Sequence, residues 1–155
     1  MKKKKKIALI TIACILGAGA IAFFAYTSDY YHADQTATEA MATGSGIQNN
    51  GDTIIFTPAA PGNDGLVFYP GGKVEYTAYI PLMQKLQQRG ITCVLVKMPF
   101  NLAVFDSGAA DRVYGMLPGI KNWTIGGHSL GGAMASNYAS GHPDKIKGLI
   151  LLGAY

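Results

Sequence analysis

Gly127-His128-Ser129-Leu130-Gly131 is the segment of this chain best suited to covalent chemistry. A serine with glycine two places away on either side fits a turn too tight for side chains there, with its hydroxyl raised as a nucleophile. Gly127 and Gly131 would be the elbow glycines. With 20 glycines and 6 serines in 155 residues, the pentapeptide alone is a weak signal. Its setting strengthens it. Trp123 to Gly126 reads as a short strand leading in, and Leu130 to Ser140 as a helix rich in small residues leading out. A serine at a helix start meets unpaired N–H groups and the positive end of the helix dipole, both of which favour a developing oxyanion. The Leu130 N–H is one natural donor. The second is expected after an earlier strand, in Tyr69-Pro70-Gly71-Gly72-Lys73, where Gly72 or Lys73 would supply it. The competing readings make Ser129 a plain helix N-cap and Gly71-Gly72 an ordinary turn.

A serine nucleophile needs a base within about 3 Å, or one water away. Only 26 residues follow Ser129, with one acid, Asp144, and one histidine, His142. A helix over Leu130 to Ser140 would carry His142 roughly 20 Å from Ser129 at about 1.5 Å per residue. His142 and Asp144 therefore read as surface residues at the helix end. His128 should point away from its neighbour, because side chains diverge on a tight turn, and reads as a residue that packs or supports the site from behind. His32 lies too far upstream to assign. Asp106 and Asp111 read as cap and face of a helix. The residues thus offer a nucleophile and half an oxyanion hole, but no credible base.

The elements around the elbow alternate. Thr53 to Thr57, Gly65 to Tyr69, Ile91 to Met98, Trp123 to Gly126 and Lys147 to Leu152 read as strands. Ala78 to Arg89 reads as a helix, with Pro81 near its start and Gly90 as its stop. A second helix begins at an Asp106 or Ser107 cap and ends near Leu117, before Pro118 and Gly119. Apolar strands separated by helices imply an α/β fold: a mostly parallel sheet with helices on both faces. Its active site should gather at the carboxyl ends of the strands.

Charge divides the chain. Of its 13 Lys and Arg, five are Lys2 to Lys6, and the other 8 nearly cancel its 9 Asp and Glu. No general basic surface remains, so nucleic acid is not an expected partner. Behind the lysines, Ile7 to Tyr26 runs 20 residues without a charge, long enough to cross a bilayer as a helix. The lysines should stay cytoplasmic, which places the rest outside on a single-pass cell-membrane anchor. The alternatives are a cleaved signal peptide and a secreted product, a lipidated Cys14, or a buried helix. Four regions are expected: 1–6 cytoplasmic and basic, 7–26 the anchor, 27–50 a linker, and 51–155 globular. Ala33 to Ala42 suits a short helix, and Thr43 to Gly46 and Asn49 to Gly51 read as loop and turn. Cys14 and Cys93 are not expected to pair.

Gly126-Gly127-His128-Ser129-Leu130-Gly131-Gly132-Ala133-Met134-Ala135, with YPGGKVE upstream and KMPFNLAV between them, resembles the alpha/beta-hydrolase fold. The upstream segments point to the branch called alpha/beta hydrolase family 5, related to dienelactone hydrolases. The resemblance covers about Gly51 to Tyr155. It implies a serine hydrolase whose triad runs Ser, acid, His along the chain, with two further strands whose loops carry the acid and the histidine. Residues 51–155 are therefore expected to be the amino-terminal portion of such a domain: a fragment, or a short form completed by another chain or inactive. The expected function is a membrane-anchored, extracytoplasmic serine hydrolase acting on a small-molecule carboxylic or acyl ester. The alternative is a non-catalytic membrane-tethered domain or an inactive truncated product. No cofactor or metal is expected, since no clustered His, Cys, Asp or Glu has ligand spacing.

Overall fold

The computed structural model describes residues 2–154. Met1, at the head of the expected basic segment, and Tyr155, at the end of the expected globular region, lie outside them. The chain forms two compact units, Met1–Tyr30 and Tyr31–Tyr155.

The first unit holds one helix, α1, Lys2–Ser28, of 27 residues. At about 1.5 Å per residue it is some 40 Å long, more than a bilayer's hydrocarbon core. Its large apolar side chains, among them Ile7, Leu9, Ile10, Leu16 and Ile21, are exposed. Such a helix is a candidate membrane span or signal sequence by length and composition. It is not the buried helix of a soluble core.

The second unit is built on a six-stranded sheet. Its strands are β1 (Ile47–Asn49), β2 (Thr53–Phe56), β3 (Asp64–Tyr69), β4 (Thr92–Val96), β5 (Asn122–His128) and β6 (Ile146–Leu152). They lie in the order β1-β2-β4-β3-β5-β6. From β4 to β6 all neighbours are parallel, while β1 and β2 are antiparallel additions. The helices are α2 (Gln35–Thr43), α3 (Ile80–Gln87), α4 (Ala110–Met116) and α5 (Leu130–Gly141).

Strand alternation sorts the core onto two faces. Leu66, Phe68, Cys93, Leu95, Ile54 and Phe56 face α3, where Ile80 and Met83 are buried, and α2 joins that layer through Ala40 and Met41. Val67, Tyr69, Val94, Val96 and Ile125 face the other way, against Ala110 and Val113 of α4 and Ala135 and Tyr138 of α5. The sheet is therefore covered on both sides, as its non-alternating apolar strands require. The Cys93 thiol is buried, which pushes its pKa up to about 12 and leaves it inert. Neither cysteine is in a disulfide.

Two sequence expectations are corrected here. The compact unit begins at Tyr31, so most of the segment read as a linker belongs to it. Asp34 caps α2 through the Ala37 N–H at 2.9 Å, and the Gln84 amide ties α3 to the Ala40 carbonyl at 2.7 Å. Strand β1 falls between two stretches read as loop and turn and takes in Asn49 of the second. Three residues with two polar side chains give no periodic signal, and only pairing with β2 defines them. The other correction concerns α4. Neither Asp106 nor Ser107 caps it: the N-cap position is Ala109, and no side chain caps from there. The Ala110 N–H instead donates to the hydroxyl of Tyr69 on β3 at 2.9 Å, and that hydroxyl donates to the Ser107 carbonyl at 2.9 Å. A helix end can be satisfied from across the fold as well as by its own cap.

Burial raises the Tyr69 pKa, so the phenol stays neutral and keeps both bonds. Tyr69→Phe should cost about 1–3 kcal/mol, because it strands the buried Ala110 N–H. Denaturant unfolding of the variant measures the cost, and a loss under about 0.5 kcal/mol would mean that water replaces the hydroxyl.

Candidate active site

The winding of the chain creates a crevice at the site. From β3 the chain passes through α3 to β4 on one side. It then crosses back through α4 to β5, on the other side of β3. The loops leaving β3 and β5 part to opposite faces of the sheet, which opens a gap at their carboxyl ends. Tyr69 at the end of β3 pairs in register with Gly127 of β5. Ser129, two residues further on, therefore stands beside Pro70-Gly71-Gly72.

Ser129 has φ 50 and ψ −121, a region that side chains other than glycine's rarely occupy. Ser129 occupies the N-cap position of α5, but its side chain makes no N-cap hydrogen bond, unlike a capping serine that is extended and bonded to the helix. Backbone bonds hold the strain. The Ser129 N–H donates to the Leu152 carbonyl of β6 at 2.9 Å, and its carbonyl accepts the Ala133 N–H at 3.1 Å.

The neighbouring glycines are sterically required. A Cβ on Gly127 would lie 2.5 Å from the Gly131 carbonyl carbon and 2.6 Å from the Gly132 nitrogen. A Cβ on Gly131 would overlap the carbonyl oxygens of Tyr69 and Pro70. Gly132, which the sequence pattern does not single out, belongs with them: its Cβ would meet that of Ala154 at 2.5 Å and the Gly127 oxygen at 2.8 Å. The start of α5 therefore packs backbone against backbone between β5 and the turn after β3.

That turn narrows the choice of oxyanion donor. The Gly71 N–H donates to the Tyr79 hydroxyl at 3.0 Å. The Lys73 N–H donates to the Asn101 carbonyl at 2.8 Å, and the Val74 N–H to the Gly71 carbonyl at 3.3 Å. Lys73 is thus spent on structure, and its φ of 57 closes the turn. Among the described residues of the turn, only the Gly72 N–H has no protein partner. Gly72 also lies against Leu130, where an added Cβ would come 3.0 Å from Cδ2 and 3.3 Å from Cβ. The structure therefore brings Gly72 and Leu130 together beside Ser129, and both amides are unengaged: Gly72 by the pairing of its neighbours, Leu130 by its place in the first turn of α5.

The titratable groups lie elsewhere. His142 ends α5, with Nδ1 2.8 Å from the Tyr138 carbonyl and its ring stacked on Tyr138 at 4.0 Å. Asp144 is exposed. Asp111 accepts from the Tyr138 hydroxyl at 2.7 Å and from Lys145 at 3.1 Å, which holds its carboxyl below the usual range. Asp106 pairs with Arg112. His32 lies 3.4 Å from Glu75. His128 turns to the Tyr79 hydroxyl, 2.9 Å from Nδ1. Among the described residues, no imidazole or carboxylate hydrogen-bonds the Ser129 hydroxyl. No metal-ligating cluster of three or more residues occurs among them either.

An open cavity of about 840 Å³ lies at the opposite end of the sheet, lined by Gly44, Thr57, Gln84, Gln87 and Gly90. Thr57 follows the antiparallel β2 and Gly90 precedes β4, so it borders the amino ends of the parallel strands and plays no part at Ser129. Beside the Gly72 turn runs the segment Pro99–Phe105, where Phe100 and Asn101 both have φ 54. Phe100, Val104 and Phe105 are about half exposed there, at 45%, 49% and 51%.

A family model described as "Alpha/beta hydrolase family" matches residues 65–155. No curated protein matches the chain. Among solved structures, it is similar to MenH from S. aureus, at 19% identity and TM-score 0.57, over 67% of this chain and 42% of that one. It is also similar to a hormone-sensitive lipase from a metagenome library, at 17% identity and TM-score 0.56, over 78% and 51%. A thermostable carboxyl esterase from Bacillus coagulans matches at 20% identity and TM-score 0.52, over 68% and 41%. The chain spans about two fifths to a half of the length of these structures, and the likeness is one of fold.

Proposed function

This chain belongs to the alpha/beta hydrolase family, and from that premise we propose that it is a serine hydrolase acting on carboxylic esters, held outside the cytoplasm by α1. One observation carries the reading: Ser129 is held at φ 50 and ψ −121 beside two unengaged amides. Backbone strain of this kind costs about 1–3 kcal/mol and persists where the surroundings enforce it. Here it raises a hydroxyl where an ester carbonyl can reach it.

The Ser129 oxygen attacks the carbonyl carbon and breaks its π bond. The resulting oxyanion is received by the Gly72 and Leu130 N–H groups. The alcohol leaves, and water releases the acyl group. The proton of Ser129 must pass to a base other than the described side chains, because none of them reaches it. In the triad of a serine hydrolase a histidine, oriented by an acid, takes that proton.

A fluorophosphonate probe applied to the longest native form should label Ser129. Absence of labelling there would remove the nucleophile and leave a non-catalytic tethered domain. The anchor has its own test. The protein should stay in the membrane pellet through alkaline carbonate extraction, and release of an intact domain lacking residues 7–26 would favour a cleaved signal.

A further inference from the structure

His128 has no part in the proton transfers above, yet its ring is tied to the turn that carries Gly72. Its Nδ1 lies 2.9 Å from the Tyr79 hydroxyl, which accepts the Gly71 N–H at 3.0 Å. A neutral phenol has one proton to give. Burial raises the Tyr79 pKa and keeps it neutral. Accepting from Gly71 leaves the phenol its own hydrogen to give, and we assign that hydrogen to Nδ1 of His128. The three groups are packed close: a Cβ on Gly71 would lie 2.6 Å from His128 Nδ1 and 2.9 Å from the Tyr79 oxygen. Phe68 holds the Tyr79 ring at a centroid distance of 5.1 Å.

The consequence lies one peptide further on. The Gly71 carbonyl and the Gly72 N–H share one planar peptide group. That plane is fixed only if both ends of Gly71 are held, because glycine has no Cβ to restrict its dihedrals. Its carbonyl is held by the Val74 N–H at 3.3 Å, a long bond. Its N–H is held by Tyr79, and Tyr79 is oriented by His128.

We propose that Tyr79 and His128 are positioning residues: together they set the direction of the Gly72 N–H toward the oxyanion at Ser129. The pair thereby couples the residue next to the nucleophile to the donor turn across the crevice. The proposal rests on the reading of Ser129 as nucleophile.

The test compares Tyr79→Phe, His128→Leu and His128→Gln with wild type, using the full chain in detergent and its longest native form. Glycine-selective NMR reads amide exchange at Gly71 and the resonance of Gly72, with β4 amides as the control for an intact fold. Fluorophosphonate kinetics read the reactivity of Ser129. Tyr79→Phe and His128→Leu should speed Gly71 exchange at least about tenfold, move the Gly72 resonance, and slow phosphonylation about tenfold without changing apparent probe affinity. His128→Gln, whose side-chain carbonyl accepts the Tyr79 proton, should stay within about twofold of wild type. Unchanged Gly71 and Gly72 signals in Tyr79→Phe would overturn the proposal. So would a His128→Gln variant as impaired as His128→Leu, since that is the mark of packing alone. If wild-type Ser129 takes no label, the nucleophile reading fails, and the exchange measurements still decide whether the pair sets the turn.

Discussion

Ser129→Ala in the longest native form should abolish fluorophosphonate labelling and lower ester turnover by roughly 10⁴-fold or more, with the fold intact. The size of the loss follows from the proposed role, in which the serine oxygen forms the bond to the acyl carbon. Stability gives a second signature. Alanine at φ 50 bears the same backbone strain as serine, so Ser129→Ala should unfold within about 0.5 kcal/mol of wild type. Ser129→Gly removes the strain and should be about 1 kcal/mol more stable, while equally inactive. Kinetics together with denaturant unfolding separate the two effects. Turnover that survives Ser129→Ala would place the chemistry elsewhere. A Ser129→Gly variant less stable than wild type would mean that the position is not strained in solution.

Gly131→Ala should be among the most damaging single-methyl changes at the described glycines. Its Cβ would overlap the carbonyl oxygens of both Tyr69 and Pro70. Those atoms are backbone, at the end of a strand paired on both sides, and cannot rotate away. Helix α5 or the Gly71-Gly72 turn must move instead. The expected cost is about 3 kcal/mol or more, and the displaced turn takes Ser129 labelling with it. Gly141→Ala, at the far end of the same helix, meets nothing within 4 Å. There the higher helix propensity of alanine should leave stability unchanged or raise it by up to about 1 kcal/mol. Parallel melting curves of the two variants measure the contrast. A Gly131→Ala variant as stable as Gly141→Ala would show that the elbow is looser than its packing implies.

Much of the fold was legible because its signals are local. Pro81 and Gly90 bracket α3, and α3 ends at Gln87, short of a Gly90 with φ 85. The run from Ile91 to Met98 was readable as a buried strand, and its centre is β4. The uncharged run behind five lysines was readable as one long helix. Features that depend on a partner far along the chain were not legible. Strand β1 exists only through its pairing with β2. The start of α4 is satisfied by Tyr69 from β3, while Asp106, a candidate cap by sequence, pairs with Arg112. Tyr79 carries no sequence mark at all: its importance comes from standing next to His128 and Gly71 at once.

The division has a physical basis. Repeats of two or 3.6 residues, breakers, and an uncharged stretch of bilayer length are properties of neighbouring residues. They determined the strands, the helices, the candidate anchor and the glycine-flanked serine. Which amide is left free beside that serine is a property of the sheet register, because the pairing of Tyr69 with Gly127 brings the turn after β3 against the start of α5. From the sequence, Gly72 and Lys73 were equal candidates for the second donor. In the tertiary structure the Lys73 N–H is spent on the Asn101 carbonyl, which is why Gly72 is the donor proposed here.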